Sequence, residues 1–218
     1  MRQAVLFDLD GTLLDTLEDL ADAVNAVLAS LGLRTHPLDA YRYFVGDGVE
    51  TLMRRALPAD AAADSELLAR AVEMQRAEYR TRWHAKTRPY PGVLELLGEL
   101  ERRDVRMAVL SNKPDPAVAE VMRHFFAKAR FEVARGARPG VPVKPDPGSA
   151  LQVASEMRLR PQDFLYLGDT NTDMRTAIAA GMLPVGALWG FRTEQELRES
   201  GAARLIARPL DLLALLTT

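Results

Sequence analysis

The 218 residues are 48% hydrophobic and 27% charged, with a formal net charge of −2, the profile of a soluble globular chain long enough for a core domain plus a small accessory one. Lysines and arginines are interleaved with acids rather than clustered, so neither a nucleic acid nor a membrane surface is expected as a partner. With no cysteine, disulfides, thiolate metal sites and cysteine nucleophiles are all excluded.

In chain order, the apolar run Ala4 to Leu9 reads as a buried strand. Asp8 and Asp10 interrupt it before it is long enough for a signal peptide, and no later stretch would span a bilayer, so a cytoplasmic location is expected. Residues 16 to 85 then read as helices only: Leu17 to Leu31, Val49 to Leu57 and Ser65 to Trp83. A crossover between parallel strands does not need so long a segment, so 16–85 is expected to be an inserted all-helical domain. Gly11 to Asp15 and Ala85 to Gly92 would be its connectors, the second marked by Pro89-Tyr90-Pro91-Gly92. Beyond it, helical patterns at Val93 to Arg103, Pro116 to Ala127, Pro147 to Arg158 and Thr172 to Ala180 alternate with strands. The strands are Val105 to Leu110, Phe164 to Leu167 and Pro184 to Leu188, with weaker ones at Phe131 to Ala134 and Arg204 to Ala207. Such alternation means an α/β, Rossmann-like parallel sheet with helices on both faces, discontinuous in sequence over 1–15 and 86–218.

Parallel strands bring their carboxyl ends to one edge, where open α/β folds bind ligands. Three strand ends there carry reactive side chains: Asp8-Leu9-Asp10-Gly11-Thr12, Ser111-Asn112-Lys113 and Gly168-Asp169-Thr170-Asn171-Thr172-Asp173. Lys144, ahead of a helix in Val143-Lys144-Pro145-Asp146-Pro147, can reach the same edge. Alone, each Asp would be a turn former or helix cap, and Lys144 a surface charge; it is their joint placement that points to chemistry. Asp8, Asp10, Asp169 and Asp173 converging there would repel one another unless a cation neutralised them, and all-oxygen donors select a hard ion such as magnesium. A lysine and a hydroxyl beside it imply an anionic ligand, most simply a phosphate. A calcium loop starting at Asp169 fails, because Met174 and Ala180 stand where glycine and glutamate are required. A nucleotide phosphate loop over Gly181 to Gly186 fails as well, with Ala187 in place of its lysine.

DLDGT at 8–12, Ser111 in LSNKP, Lys144 in VKPDP and GDTNTD at 168–173 resemble the four ordered motifs of the haloacid dehalogenase-like phosphohydrolases. The resemblance covers essentially the whole chain, including a helical cap inserted after the first motif. Within that superfamily the chain is similar to phosphoglycolate phosphatases, through Val45-Gly46-Asp47-Gly48-Val49, the SNKP form of the second motif and Trp189-Gly190-Phe191-Arg192. It implies Asp8 as a nucleophile that becomes an aspartyl-phosphate, and Asp10 as general acid to the leaving alcohol and general base to the attacking water. It implies magnesium held by Asp8, the Asp10 backbone carbonyl and Asp169, with Asp173 contributing directly or through water. Ser111 and Lys144, with backbone N–H groups around Asn112, would contact the phosphoryl oxygens, and Thr12 would orient the Asp8 loop and share in phosphate binding. The cap would close over the edge and exclude water. Gly46 and Gly48, at a helix start, would let backbone approach a small substrate such as 2-phosphoglycolate. Arg42, Arg54 and Arg55 are further partners for a carboxylate, none singled out.

A small phosphorylated metabolite is thus the expected partner, for a monomer or homodimer. Dehalogenation is disfavoured by Asp10, and phosphonate hydrolysis by the absence of lysine from residues 16 to 85. A pyrophosphatase, a broad sugar-phosphate phosphatase and a phosphomutase remain as alternatives. A non-catalytic phosphate-binding protein would not need Asp10.

Overall fold

A computed structural model describes residues 2–216. The chain divides into two units, one comprising the chain up to Leu14 and again from Pro89, the other Asp15–Arg88. It opens with β1 (Ala4–Phe7), fully buried at every position, and a tight loop leads to the two-residue strand β2 (Leu14–Asp15). Five helices follow: α1 (Leu17–Ser30), α2 (Leu38–Phe44), α3 (Val49–Ala56), α4 (Ala59–Ala63) and α5 (Ser65–Arg82). After β3 (Arg88–Pro89) come α6 (Val93–Arg102), β4 (Arg106–Pro114), α7 (Asp115–Phe125), β5 (Phe131–Ala137), α8 (Gly148–Glu156) and β6 (Phe164–Gly168). The chain continues through α9 (Asn171–Ala180), β7 (Leu183–Ala187), α10 (Glu194–Glu199) and β8 (Arg204–Ile206), with short 3-10 helices at Pro161–Asp163 and Pro209–Leu215.

Six strands form one sheet in the order β5-β4-β1-β6-β7-β8, with every pairing parallel. This is the α/β architecture that the alternating pattern predicts. From β1 the chain builds outward through β4 and β5, then crosses back to lay β6, β7 and β8 on the other side. That reversal opens a crevice beside the carboxyl end of β1. Because strand side chains alternate in direction, Ala4 and Leu6 of β1 share a face with Ala108 and Leu110 of β4 and with Phe164 and Tyr166 of β6. They pack there against Ala150, Val153 and Ala154 of α8 and Ala177 and Ala180 of α9. Phe7 points to the opposite face, where its ring meets Phe131 edge-on at 6.2 Å and Phe131 meets Phe126, just past α7, at 6.0 Å.

In the second unit, α1 buries Leu17, Leu20, Ala21, Val24, Val27 and Leu28, an i, i+3, i+4 stripe, and packs on α5. Asp64 caps α5 by accepting from the Glu66 and Leu67 N–H groups. Asp19, buried on α1, accepts from the backbone N–H groups of Lys86 and Thr87 and from the Thr87 hydroxyl, tying down the segment that leads out of the unit. The two connecting strands β2 and β3 form a separate two-stranded sheet.

Three helices go beyond the sequence reading: α2, α4 and α10. They span seven, five and six residues and bury only Tyr41, Ala62 and Leu197 respectively, so they show no apolar period. β4 also runs past the expected Leu110 to Pro114, and its pairing with β5 shifts register between those two residues. Among the described residues no helix is long and apolar enough to cross a membrane.

Candidate active site

The side chain of Asp8 follows Ala4 and Leu6 on the face covered by α8 and α9, and its N–H still donates to the Leu167 carbonyl at 2.9 Å, so the sheet holds it in place. On that face lie Lys144, just ahead of α8, and Asp173, in the first turn of α9. Lys144 Nζ donates to Asp8 Oδ1 and to Asp173 Oδ1, each at 2.7 Å, and the lysine side chain is only 3% exposed. Asn112 clamps the Lys144 peptide from both sides, accepting from its N–H at 2.9 Å and donating to its carbonyl at 3.1 Å. Asp173 is the far member of a capping box: the Thr170 N–H and hydroxyl donate to its Oδ2, while its own N–H donates to the Thr170 hydroxyl. Its charge also sits favourably at a helix N-terminus.

Asp169, at the end of β6, is fully buried. Its Oδ1 accepts from the Thr12 hydroxyl at 2.8 Å and its Oδ2 from the Phe191 N–H at 2.8 Å. Gly11, at φ +88°, passes so close that a Cβ there would lie 2.3 Å from Asp169 Oδ2, so only glycine fits. One oxygen from each of Asp8, Asp169 and Asp173 lies within 4.8 Å of the others.

Electrostatically, three carboxylates face one ammonium. Burial first, then the Asp173 charge, raise the Asp8 carboxyl well above the ordinary carboxylate range, with Lys144 opposing. Burial and Asp173 push the Asp169 carboxyl up to about 7, against the pull of the Phe191 N–H and the Thr12 hydroxyl. Burial alone would favour a neutral Lys144, but the Asp173 and Asp8 charges override it and raise that group well above the usual lysine value. An all-oxygen set with surplus negative charge, buried and closely grouped, fits a hard divalent cation. Asp8, Asp169 and Asp173 are the residues able to hold it.

Asp10 lies outside this triad. Both of its oxygens accept from Lys113 Nζ at 3.1 Å, with the lysine 5% and the aspartate 15% exposed at the side chain. Ser111, also buried, accepts from the Lys113 N–H at 3.2 Å. Ser111, Asn112 and Lys113 fall where the β4–β5 register shifts.

A profile of the haloacid dehalogenase-like hydrolases matches residues 5–187. The chain is 34% identical over 199 residues to a phosphoglycolate phosphatase of Nitrosospira multiformis, covering 90% of this chain and 88% of that one. It is 34% identical over 216 residues to phosphoglycolate phosphatase 1 of Pseudomonas aeruginosa, covering 98% and 79%. The crystal structure of a Lactobacillus delbrueckii protein assigned as a phosphoglycolate phosphatase superposes with a TM-score of 0.91 at 27% identity, covering 99% of each chain. The chain belongs to the haloacid dehalogenase-like hydrolases.

In this hydrolase Asp8, Lys144, Asp169 and Asp173 form one cluster linked by ion pairs, close approach or both. Thr12, expected to orient the Asp8 loop and share in phosphate binding, directs its hydroxyl proton to Asp169 from a fully buried position. The side-chain amide of Asn112 is committed to the Lys144 peptide. Gly46 and Gly48 belong to the other unit, where Gly48, at φ +86°, is the residue before α3. In that loop Arg55 donates to Asp47 and to the Tyr43 and Phe44 carbonyls. Three contributions had no role assigned from the sequence: Lys113 on Asp10, the Tyr166 hydroxyl 3.4 Å from Asp173 Oδ1, and the Trp189–Phe191 segment beside Asp169. A signal existed for Tyr166, the only polar tip within the apolar strand FLYLG.

Proposed function

We propose that this hydrolase is a magnesium-dependent phosphatase that cleaves a small phosphate monoester, 2-phosphoglycolate, through an aspartyl-phosphate on Asp8. The observation that carries the reading is the buried Asp8–Lys144–Asp173 array beside Asp169 at the carboxyl edge of the sheet. A carboxylate nucleophile needs a neighbour that favours its ionised form and aims it, and Lys144 opposes the effect of burial while gripping one Asp8 oxygen. In the first step an Asp8 oxygen forms a bond to phosphorus as the bond to the leaving alkoxide breaks in line, and Asp10 gives that alkoxide its proton. In the second step water attacks phosphorus, its proton passes to Asp10, and the bond to Asp8 breaks, returning the carboxylate. Lys144 and the Ser111 hydroxyl stabilise charge on the equatorial oxygens. A divalent ion held by Asp8, Asp169 and Asp173 would offset repulsion between the nucleophile and the phosphate oxygens.

The choice of substrate is supported by the names of the relatives, which align over most of their length. The test is a panel of small phosphate esters, with phosphoglycolate, pyrophosphate and hexose phosphates compared by kcat/KM. The expected result is a preference for phosphoglycolate above tenfold, about 1.4 kcal/mol in transition-state binding. A flatter profile would mark a generalist and refute the assignment.

A further inference from the structure

The loop after β7 has no place in the chemistry above, yet it is built around Asp169. Phe191 donates its N–H to Asp169 Oδ2 at 2.8 Å. Gly190 runs so close that a Cβ there would lie 2.2 Å from the Asp169 Cβ, so the loop follows this path only with glycine at that position. Trp189 Nε1 donates to the Thr12 carbonyl at 3.0 Å, and the Thr12 hydroxyl donates to Asp169 Oδ1 at 2.8 Å. The same loop therefore reaches the acid twice, directly through a peptide N–H and indirectly through Thr12.

We infer that Trp189-Gly190-Phe191 is a positioning brace that locks the Asp169 carboxylate for cation binding, with the Trp189 indole holding Thr12 in register. A lone buried carboxylate has two rotatable bonds and a like-charged neighbour in Asp173, so in the absence of donors it would turn away from the cluster. One donor on each oxygen removes that freedom and leaves the remaining lone pairs for the cation. Partners of this kind, one bond removed from the metal, typically contribute a factor of 10–100 in metal affinity. The inference rests on the cation reading of the site, and its test separates the two.

The experiment is calorimetric titration of the metal-free full-length protein with magnesium chloride, alongside its melting temperature without metal. Trp189→Phe keeps the ring and removes the N–H. It is expected to weaken magnesium binding about tenfold while shifting the metal-free melting temperature by no more than a few degrees. Thr12→Val should weaken binding at least as much, and Thr12→Ser, which restores the hydroxyl, should recover it. A role in folding alone would lower the melting temperature without this split between serine and valine. Unchanged affinity in Trp189→Phe and Thr12→Val, with wild type binding normally, would overturn the brace alone. Failure of wild type to bind would overturn the cation site and the brace with it. Should Trp189→Phe not fold, the serine and valine pair at Thr12 decides the matter.

Discussion

Replacing Lys144 by methionine is the perturbation with the most to reveal, because the side chain is nearly isosteric and the one lysine ammonium is ion-paired to both Asp8 and Asp173. Its removal leaves two buried carboxylates, both within reach of Asp169, without their counter-charge. Breaking a buried ion pair from one side costs about 3–5 kcal/mol, and at about 2–4 °C per kcal/mol for a chain of this size the melting temperature should fall by roughly 6–20 °C. The assay is thermal unfolding in a chelator at pH 8, where the acids are most fully charged, repeated with saturating magnesium. In chelator the loss should appear in full. With magnesium much of it should return, since the cation takes over the neutralising role, while turnover stays down by about 10²–10³-fold because the phosphoryl oxygens have lost a donor. A Lys144→Met protein melting within about 2 °C of wild type in chelator would refute the electrostatic account of the site.

The raised Asp169 carboxyl makes a pH prediction with a definite sign. Its folded value of about 7 stands above the roughly 3.9 of an unfolded aspartate, so its contribution to stability is complete below about pH 4 and is lost as pH rises through about 7. The metal-free melting temperature should therefore fall across that window, and the rise produced by magnesium should grow over it; a magnesium effect equal at pH 5 and pH 8 would contradict this. Asp8→Asn should abolish hydrolysis of an aryl phosphate and beryllium fluoride trapping at that side chain while the protein stays folded, and retained turnover would remove Asp8 from its role. Asp10→Ala should lose about 10²–10⁴-fold on alkyl phosphates, whose leaving groups need a proton, and far less on aryl phosphates; uniform loss would count against acid catalysis. Lys113→Met, which removes the ion pair of Asp10, should lower kcat on alkyl phosphates more than on aryl phosphates, and an equal loss on both would show the pair to be irrelevant to proton transfer.

The elements readable in the sequence were those whose burial leaves a period. The β1 strand is fully buried, and α1 shows its apolar stripe at every turn. By contrast α10 buries only Leu197 behind its Thr193 cap, and α2 only Tyr41, so neither rises above a polar loop in a pattern built on hydrophobicity. Strand ends are a third case. Apolar counting stops β4 at Leu110, yet the strand runs on through Ser111, Asn112 and Lys113, which are polar but buried, to Pro114, where pairing with β5 resumes at Ala137.

The same distinction runs through the site. Asp8, Lys144, Asp169 and Asp173 could be found in the sequence because charged residues at the ends of apolar strands are conspicuous, and the parallel topology that groups those ends follows from the strand–helix alternation. What a linear string does not show is how each charge is countered. Lys113 and Lys144 are equivalent as letters, but one meets Asp10 and the other meets Asp8 and Asp173, so the two acids of the first motif sit under different fields. In the mechanism proposed above, this division would separate the two roles, with Lys144 tying Asp8 to Asp173 and the cluster around it while Asp10 stands apart on Lys113. Composition alone would be the same with the lysine partners exchanged, so on that reading the function would reside in the pairing, which the three-dimensional register of β1, β4 and the loop before α8 establishes.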